Sequence, residues 1–208
     1  PQGVAKLESK IRDLAKSLLD EFADKGEVEF TESYGRPLPV MVFLDIMGLP
    51  QSMRDTFVEW AMQLLHSDRA GMAEAMVKIT AYLKEAIADK KTNPEEGVVS
   101  RIAHAEINGR PLSDKEVFGF VCFLFIGGLD TVFASMNNIW LYLARNPDKV
   151  EQMLAGTDNI DKQMEELLRV NAVTFSGRVL IQDHVMRGVQ MKKDDRITCV
   201  LPACNFDP

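Results

Sequence analysis

The 208-residue sequence predicts a mainly α-helical fold with a minor antiparallel β part. Apolar residues recur at helical spacing over most of residues 1–170, one helical pattern continues from about 113 to 145, and short β-branched runs follow residue 171. No internal repeat or interdomain linker interrupts the chain. We therefore expect a single domain over 1–208, with a helical core at 1–170 and a small β-hairpin region at 171–208.

Three amphipathic helices are predicted in the first ninety residues. In the first helix, apolar residues recur at steps of three and four, and this helix should end near Gly26. Its residues are Leu7, Ile11, Leu14, Leu18 and Phe22. The segment TESYGRPLPV (31–40) is interpreted as a loop. Ser52 is expected to cap the second helix, and a methionine-rich stripe from Met72 to Ile87 marks the third, most simply as core packing.

The longest predicted helix begins at a capping box formed by Ser113 and Glu116. No helix breaker follows until Asn146-Pro147, so the helix should extend from about 113 to 145 and measure roughly 50 Å. Its first half is apolar on every side, which predicts a central helix surrounded by other elements. Just before it, INGRP (107–111) predicts a hairpin or loop tip.

Composition excludes several classes of function. Lys and Arg number 24 against 31 Asp and Glu, a net charge of −7 that disfavours nucleic acid as a partner. The longest apolar run, residues 117–129, is shorter than the roughly 20 residues of a membrane span and is followed by Asp130, so we expect no membrane partner. The first residues show no secretion-signal pattern, and a cytoplasmic location is the default expectation.

The cysteine and histidine spacings argue against a protein-only metal site. The three cysteines form no C-x-x-C pair and suit reduced thiols, and the three histidines lack zinc-type spacing. These residues are Cys122, Cys199, Cys204, His66, His104 and His184.

Two adjacent glycines, an aspartate and a threonine interrupt the apolar part of the long helix, in FLFIGGLDTVFAS (123–135). Each glycine costs up to about 1 kcal/mol relative to alanine, which indicates that a flat ligand or small molecule approaches the backbone at Gly127 and Gly128. The Thr131 hydroxyl can donate back to the Gly127 carbonyl and open a polar notch. Partial burial of Asp130 would favour its neutral form and suit proton transfer. Alternatively, the glycines only allow another helix to cross closely while Asp130 faces solvent.

Two further patterns carry charge in the second half of the chain. Glu166 and Arg169, in EELLR, share a helix face, and an isolated pair of this kind is usually a surface ion pair. Arg178 opens the first hairpin and is either a solvated charge or a guanidinium fork for a carboxylate.

The order of these motifs, GGLDT, EELLR, GRVL, GVQMKKDDRI and ACNFDP, resembles the cytochrome P450 superfamily of haem-thiolate monooxygenases. The residues of these motifs are most similar to those of the bacterial camphor-hydroxylating type. The resemblance extends from FTESYGRPLPVMVFLDIMGLP (30–50) to the end of the chain. It implies a partial P450 fold, an oxidoreductase that binds haem b and its iron, and hydroxylation of a small apolar, terpenoid-like substrate.

The resemblance also implies roles for particular residues. Asp130 and Thr131 correspond to the catalytic acid–alcohol pair that supplies protons for dioxygen cleavage, and Gly127 and Gly128 border the dioxygen groove beside the cofactor. Arg178 corresponds to an arginine that binds a haem propionate. The remaining correspondences are the structural E-x-x-R pair, Glu166 and Arg169, and the substrate-pocket residues Phe123, Ile126, Val173 and Thr174. An iron–sulfur ferredoxin with its NAD(P)H-dependent reductase is the implied electron donor.

This sequence departs from the family pattern at several positions. Ser176 stands in place of an aspartate near a propionate, Phe123 and Phe175 are bulkier than expected, and Phe206 replaces the arginine of A-x-N-R-D-P. None of the three cysteines lies in the haem-binding pattern F-G-x-G-x-x-x-C-x-G, so the axial ligand is not expected within these residues and the chain resembles the middle of a longer enzyme.

Two other functions remain open from sequence. One is a non-catalytic fragment of the same fold that binds no haem because it lacks the thiolate, and such a fragment alone is expected to be inactive. The other is an unrelated helical interaction protein, which leaves the order of the motifs unexplained.

Overall fold

The computed structural model describes residues 7–156 and 159–206. The chain divides into two compact units, Pro1–Phe133 and Ala134–Pro208. The single domain over 1–208, divided into a helical core at 1–170 and a β-hairpin region at 171–208, stays a prediction. The mainly helical fold with small antiparallel sheets is confirmed.

The first unit contains helices, a short hairpin and the first part of the long helix. Its helices are α1 (Glu8–Asp20), α2 (Pro37–Met47), α3 (Arg54–His66), α4 (Arg69–Thr92), α5 (Val98–Ala103) and α6 (Asp114–Arg145), the last continuing into the second unit. Shorter turns are 3₁₀ at Ala23–Lys25 and Gln51–Met53 and π-helical at Thr31–Gly35, and the hairpin pairs β1 (Glu106–Ile107) with β2 (Arg110–Pro111).

The interpretation of TESYGRPLPV as a loop is wrong. Residues 31–35 form the π-helical turn and α2 begins at Pro37. Prolines 37 and 39 lie in the first turn of α2, where backbone N–H groups have no partner within the helix, so they are compatible with it. Ser52 is likewise not a helix cap, because it lies within the 3₁₀ turn that precedes α3.

The core of the first unit is built from buried faces of α2, α3, α4 and α6. Phe57 and Phe125 are fully buried with their ring centroids 5.2 Å apart, and Phe43 packs on both. Gly48 and Gly97 bring the end of α2 against the start of α5, since a Cβ on Gly48 would lie 2.6 Å from the Glu96 carbonyl oxygen.

Helix α6 has the predicted bounds and the predicted cap. The Ser113 backbone N–H donates to the Glu116 carboxylate at 2.9 Å, and the Glu116 N–H donates back to the Ser113 hydroxyl at 3.4 Å. Arg110 adds two hydrogen bonds to the same carboxylate, at 2.7 and 2.8 Å.

One side of α6 is buried and the other is exposed. Val117, Val121, Phe125 and Leu129 recur at every fourth position and belong to the core. The opposite side presents the exposed residues Phe120, Phe123, Leu124 and Ile126. The prediction that other elements surround the first half of α6 is therefore wrong for the described part of the chain, because only one face is covered.

Among the described residues, α6 alone is long and apolar enough to cross a membrane, and 22% of its most apolar window is buried. The central helix of a soluble protein meets the same criteria. The absence of a membrane partner therefore stays a prediction, because α6 contains 32 residues and its apolar character continues past Asp130.

The second unit contains the end of α6, three more helices and two small sheets. The helices are α7 (Pro147–Ala155), α8 (Ile160–Val170) and α9 (Leu201–Cys204). Strand β3 (Phe175–Val179) pairs antiparallel with β6 (Arg196–Val200), and β4 (His184–Met186) pairs with β5 (Val189–Met191). Its apolar cluster joins Ile139, Leu143 and Leu167.

Candidate functional site

Gly127 and Thr131 form an open notch on the exposed side of α6. The Thr131 hydroxyl donates to the Gly127 carbonyl oxygen at 3.1 Å, which is the predicted back-bond. A Cβ on Gly127 would meet no heavy atom within 4 Å among the described residues beyond the local helix backbone. Both residues are exposed, so a flat ligand can reach the backbone here.

Gly128 has a different environment from its neighbour. A Cβ at this position would lie 2.9 Å from Cε2 and 3.0 Å from Cδ2 of Phe43 on α2. Phe43 is itself held by Phe57 and Phe125, so its ring has little room to move. Close helix crossing, the alternative explanation from sequence, therefore accounts for Gly128, and its place beside a cofactor stays a prediction.

Asp130 is half-buried and lines a small hollow together with residues of α2 and α3. The hollow is bounded by apolar residues of α2 and α3, by Phe133, and by the guanidinium of Arg36. The carboxylate of Asp130 and the hydroxyl of Thr131 thus belong to adjacent residues that face different surroundings, one a partly enclosed hollow and the other the open notch.

Two of the predicted substrate residues lie on the exposed side of α6. Phe123 is 72% exposed and Ile126 is 46% exposed. Together with Phe120 and Leu124 they form an apolar surface that contains no charged side chain of its own. Such a surface suits an apolar ligand held with few polar contacts.

The E-x-x-R pair lies in the second unit, and its arginine forms more hydrogen bonds than an isolated surface ion pair provides. Arg169 donates to both carboxylate oxygens of Glu166, at 2.6 and 2.7 Å. It also donates to the Asn205 carbonyl, and the Asn205 side chain returns a hydrogen bond to the Arg169 carbonyl at 2.9 Å. The Phe206 ring lies 5.5 Å from the guanidinium carbon. Arg169 therefore joins α8 to the turn after α9.

The ion pair also changes the ionisation of both partners. The Arg169 guanidinium holds the pKa of the Glu166 carboxyl below its usual range, and Glu166 raises the pKa of Arg169 in return. Both groups are fully charged at neutral pH. Asp207 and Pro208, which complete the ACNFDP motif, lie outside the described residues.

Arg178 is exposed on β3, and its guanidinium is held close to its own strand. It donates to the Ser176 hydroxyl and to the Gly177 carbonyl oxygen, the latter at 2.8 Å. Val173 is half-buried and Thr174 exposed, just before this strand. The remaining donors of Arg178 are available to a carboxylate ligand.

No group of three His, Cys, Asp or Glu side chains within 7–156 and 159–206 could hold a metal ion. Cys122 and Cys199 are half-buried, Cys204 is exposed, and burial raises the pKa of the Cys122 thiol. A half-buried thiol with a raised pKa is a poor thiolate ligand.

The predicted residues thus fall into two groups. Phe123, Ile126, Gly127, Gly128, Asp130 and Thr131 share α6 within the first unit, and Glu166, Arg169, Val173, Thr174 and Arg178 lie in the second unit. Sequence reasoning missed Phe43 and Arg36. The sequence signal for Arg36 was its position directly before the segment Pro37-Leu38-Pro39. The interpretation of that segment as a loop hid this signal.

Comparison with known proteins identifies the class of protein to which this helical fold and its α6 notch belong, because cytochromes P450 match over the whole chain. No family model matches. The chain is 27% identical to the polyketide biosynthesis cytochrome P450 PksS of Bacillus subtilis, over all of this chain and 53% of that protein. It is 30% identical to the probable cytochrome P450 127A1 of Sinorhizobium fredii, over 99% of this chain and 50% of that protein. It is 26% identical to a steroid C26-monooxygenase of Mycolicibacterium smegmatis, over 100% of this chain and 49% of that protein.

Solved structures show the same relationship. The B. subtilis PksS structure matches with a TM-score of 0.92 at 27% identity, covering 100% of this chain and 55% of that one. The structure of P450BioI in complex with a hexadec-9Z-enoic acid ligated acyl carrier protein matches with a TM-score of 0.88 at 26% identity, covering 100% and 56%. The chain belongs to the cytochrome P450 superfamily, whose cofactor is haem b, and it spans about half the length of the curated relatives it matches.

Proposed function

We propose that this chain forms part of a haem-dependent monooxygenase that inserts one atom of dioxygen into a C–H bond of a small apolar, terpenoid-like substrate. The open notch at Gly127 and Thr131 carries this proposal, because it combines bare backbone, a fixed hydroxyl and an apolar surface on one side of α6. The residues present fit a porphyrin, since a Cβ at Gly127 is the group that would fill the space such a flat ligand needs.

When bound, haem b supplies the iron at which dioxygen is reduced and split, chemistry that consumes protons. Thr131 contributes a hydroxyl oxygen whose proton is directed to the Gly127 carbonyl, so its lone pairs are free to receive a hydrogen bond. Asp130, the preceding residue, contributes a carboxyl group that can take up and release a proton. Arg178 would bind a propionate with the donors that Ser176 and Gly177 leave unused.

The apolar residues set the substrate class. Phe123 and Ile126 on α6 would bind the substrate by shape and apolar contact, and the family resemblance assigns the same role to Val173 and Thr174. Two relatives carry names that refer to a polyketide and a steroid, and a solved neighbour was determined with testosterone, all largely apolar compounds. Electrons would come from an iron–sulfur ferredoxin with its NAD(P)H-dependent reductase, in the cytoplasm.

The second candidate is a non-catalytic protein of this fold that binds no haem. The two candidates differ in whether the protein containing this chain binds haem through a thiolate.

The test is the absorption spectrum of the purified, reduced protein containing this chain under carbon monoxide. A Soret shift typical of thiolate ligation is expected, and absence of haem absorption would favour the second candidate. Gly127→Leu should lower the haem bound per protein without unfolding it. Gly119→Leu is the matched control, because Gly119 is also exposed on α6 with open space around it. Equal haem content in the two variants would contradict the role of the notch.

A further inference from the structure

The hairpin that precedes α6 turns through the pair Asn108-Gly109. The φ angles of these two residues are 52° and 75°, so both central residues of the turn are left-handed, as a type I′ turn requires. Both residues are exposed. A Cβ on Gly109 would meet no heavy atom within 4 Å among the described residues beyond its chain neighbours, so no other part of the fold shields this peptide bond.

The polar groups of this turn are free within the described structure. Among residues 7–156 and 159–206, the Gly109 N–H has no backbone acceptor and the side-chain amide of Asn108 has no hydrogen-bond partner. Other asparagine side chains are held in place. Each of four donates one hydrogen bond, at 2.7 to 2.9 Å, and these are Asn93, Asn146, Asn171 and Asn205.

Asn108 is also the only asparagine in the sequence that precedes a glycine. Asn93 and Asn146 precede proline, whose nitrogen carries no proton to lose. At the remaining asparagines the next residue has a Cβ, which hinders the approach of its backbone nitrogen to the asparagine side chain. The pair Asn108-Gly109 thus combines an unhindered nitrogen with an amide that no hydrogen bond restrains.

We propose that Asn108 is a modification site, at which the chain deamidates spontaneously and forms an isoaspartate that weakens the cap of α6. The Gly109 nitrogen attacks Cγ of Asn108, the bond from Cγ to Nδ2 breaks, and ammonia leaves with the proton of the attacking nitrogen. The product is a five-membered cyclic imide. Water then opens the imide at one of its two carbonyl carbons and gives either aspartate or isoaspartate. No oxidant or reductant takes part, and this inference does not depend on the proposed monooxygenase function.

The isoaspartate changes the geometry of the turn. Its peptide bond starts from the side-chain carbon, so the backbone becomes longer by one carbon atom. The two-residue turn pairs Ile107 directly with Arg110, and turn type and length fix the register of a hairpin. Arg110 in turn donates to both carboxylate oxygens of Glu116, at 2.7 and 2.8 Å. A longer turn displaces Arg110 from Glu116, and the new carboxylate competes for the same guanidinium.

The test is peptide mapping by mass spectrometry of the protein containing this chain, after incubation for increasing times at neutral and at mildly alkaline pH. The peptide with Asn108 should gain about 1 Da, release ammonia in equal amount and accept a methyl group from an isoaspartate methyltransferase. The gain should be faster at alkaline pH, because the attacking nitrogen must lose its proton. A gain no faster at Asn108 than at Asn171 or Asn205 would overturn the inference.

Ala172→Gly provides a matched control within the same chain. It creates a second Asn-Gly pair at Asn171, whose side-chain amide donates to the Leu167 carbonyl oxygen at 2.9 Å. Deamidation at Asn171 in this variant should stay slower than at Asn108, because the hydrogen bond restrains the amide. Equal rates at the two pairs would overturn the role assigned to the free amide of the turn.

The effect on the cap is measured on the isoaspartate form, separated from the unmodified protein by ion exchange. Its urea unfolding midpoint should be lower, and the difference should shrink in Arg110→Gln, which lacks the hydrogen bonds to Glu116. Asn108→Asp adds the same charge without lengthening the backbone and should lower the midpoint less. Equal midpoints for the two forms, or a difference that Arg110→Gln leaves unchanged, would overturn the link between this turn and the cap.

Discussion

The hydroxyl of Thr131 and the carbonyl oxygen of Gly127 are joined by a 3.1 Å hydrogen bond on the exposed side of α6. This bond orients the hydroxyl oxygen within the notch that the glycine leaves open. Helix α6 continues without interruption through both residues, so the notch is made by missing side-chain atoms and not by a break in the helix.

Replacing Thr131 by alanine in the haem-containing protein should uncouple electron transfer from product formation. Without the hydroxyl, proton delivery slows and reduced oxygen leaves as peroxide, so product per electron should fall about tenfold or more. Thr131→Ser keeps the hydroxyl and should remain near the wild-type ratio. The ratio of product to peroxide measures the effect, and unchanged coupling in the alanine variant would remove Thr131 from the proton path.

The two adjacent glycines should respond oppositely to substitution by alanine. Gly128→Ala forces a methyl group against the Phe43 ring and should lower the free energy of unfolding by about 1 kcal/mol or more. Gly127→Ala enters open space and should raise it by up to about 1 kcal/mol through helix propensity. Denaturant unfolding measures both. In a Phe43→Leu background Gly128→Ala should cost less than in the wild type, and an equal cost in the two backgrounds would show that the ring is not the cause.

The contact between Gly48 and Gly97 should tolerate no side chain. Gly48 has a φ of 72°, and an added Cβ would lie 2.6 Å from the Glu96 carbonyl oxygen. Gly48→Ala should cost about 3 kcal/mol, from left-handed strain plus the clash. Gly26, with a φ of 74° and open space, is the matched control and should cost about 1–2 kcal/mol as alanine. Similar losses in thermal unfolding for both variants would argue against the close crossing.

The cap of α6 should make stability depend on pH in the acid range. Two hydrogen bonds from Arg110 and those from Ser113 hold the pKa of Glu116 far below its usual range. Because the folded-state pKa lies below the unfolded value of about 4.3, the stabilisation is complete above about pH 5 and is lost as pH falls towards the folded-state pKa. The stability difference between the wild type and Glu116→Gln should therefore shrink from pH 7 to pH 3. Chemical denaturation at both pH values measures it.

An Arg110→Gln background provides the control for this prediction. Without the guanidinium, the Glu116 carboxyl loses its strongest partner, and the pH dependence of the stability difference should become smaller. A stability difference that does not change with pH in the wild-type background would contradict the assigned role of the cap.

Much of α6 and its surroundings was predictable because the decisive contacts are local. The capping box joins residues three apart, the Thr131 back-bond joins residues four apart, and the hairpin at Asn108-Gly109 uses two residues with positive φ. The E-x-x-R ion pair is local as well, although its hydrogen bonds to Asn205 are not. The prediction that TESYGRPLPV is a loop was wrong because prolines in a first helical turn resemble prolines in a loop in the sequence.

The sequence by itself determined the helical class, the bounds and cap of α6, and the order of motifs that indicates a cytochrome P450. These features depend on hydrogen bonds and periodicity between residues that are close together in the sequence. Only the tertiary structure decided that Gly127 is open while Gly128 is packed against Phe43, and that Arg36 shares a hollow with Asp130. These pairs are separated by more than eighty residues, and their proximity depends on how the faces of α2, α3 and α6 pack together, which no local pattern specifies.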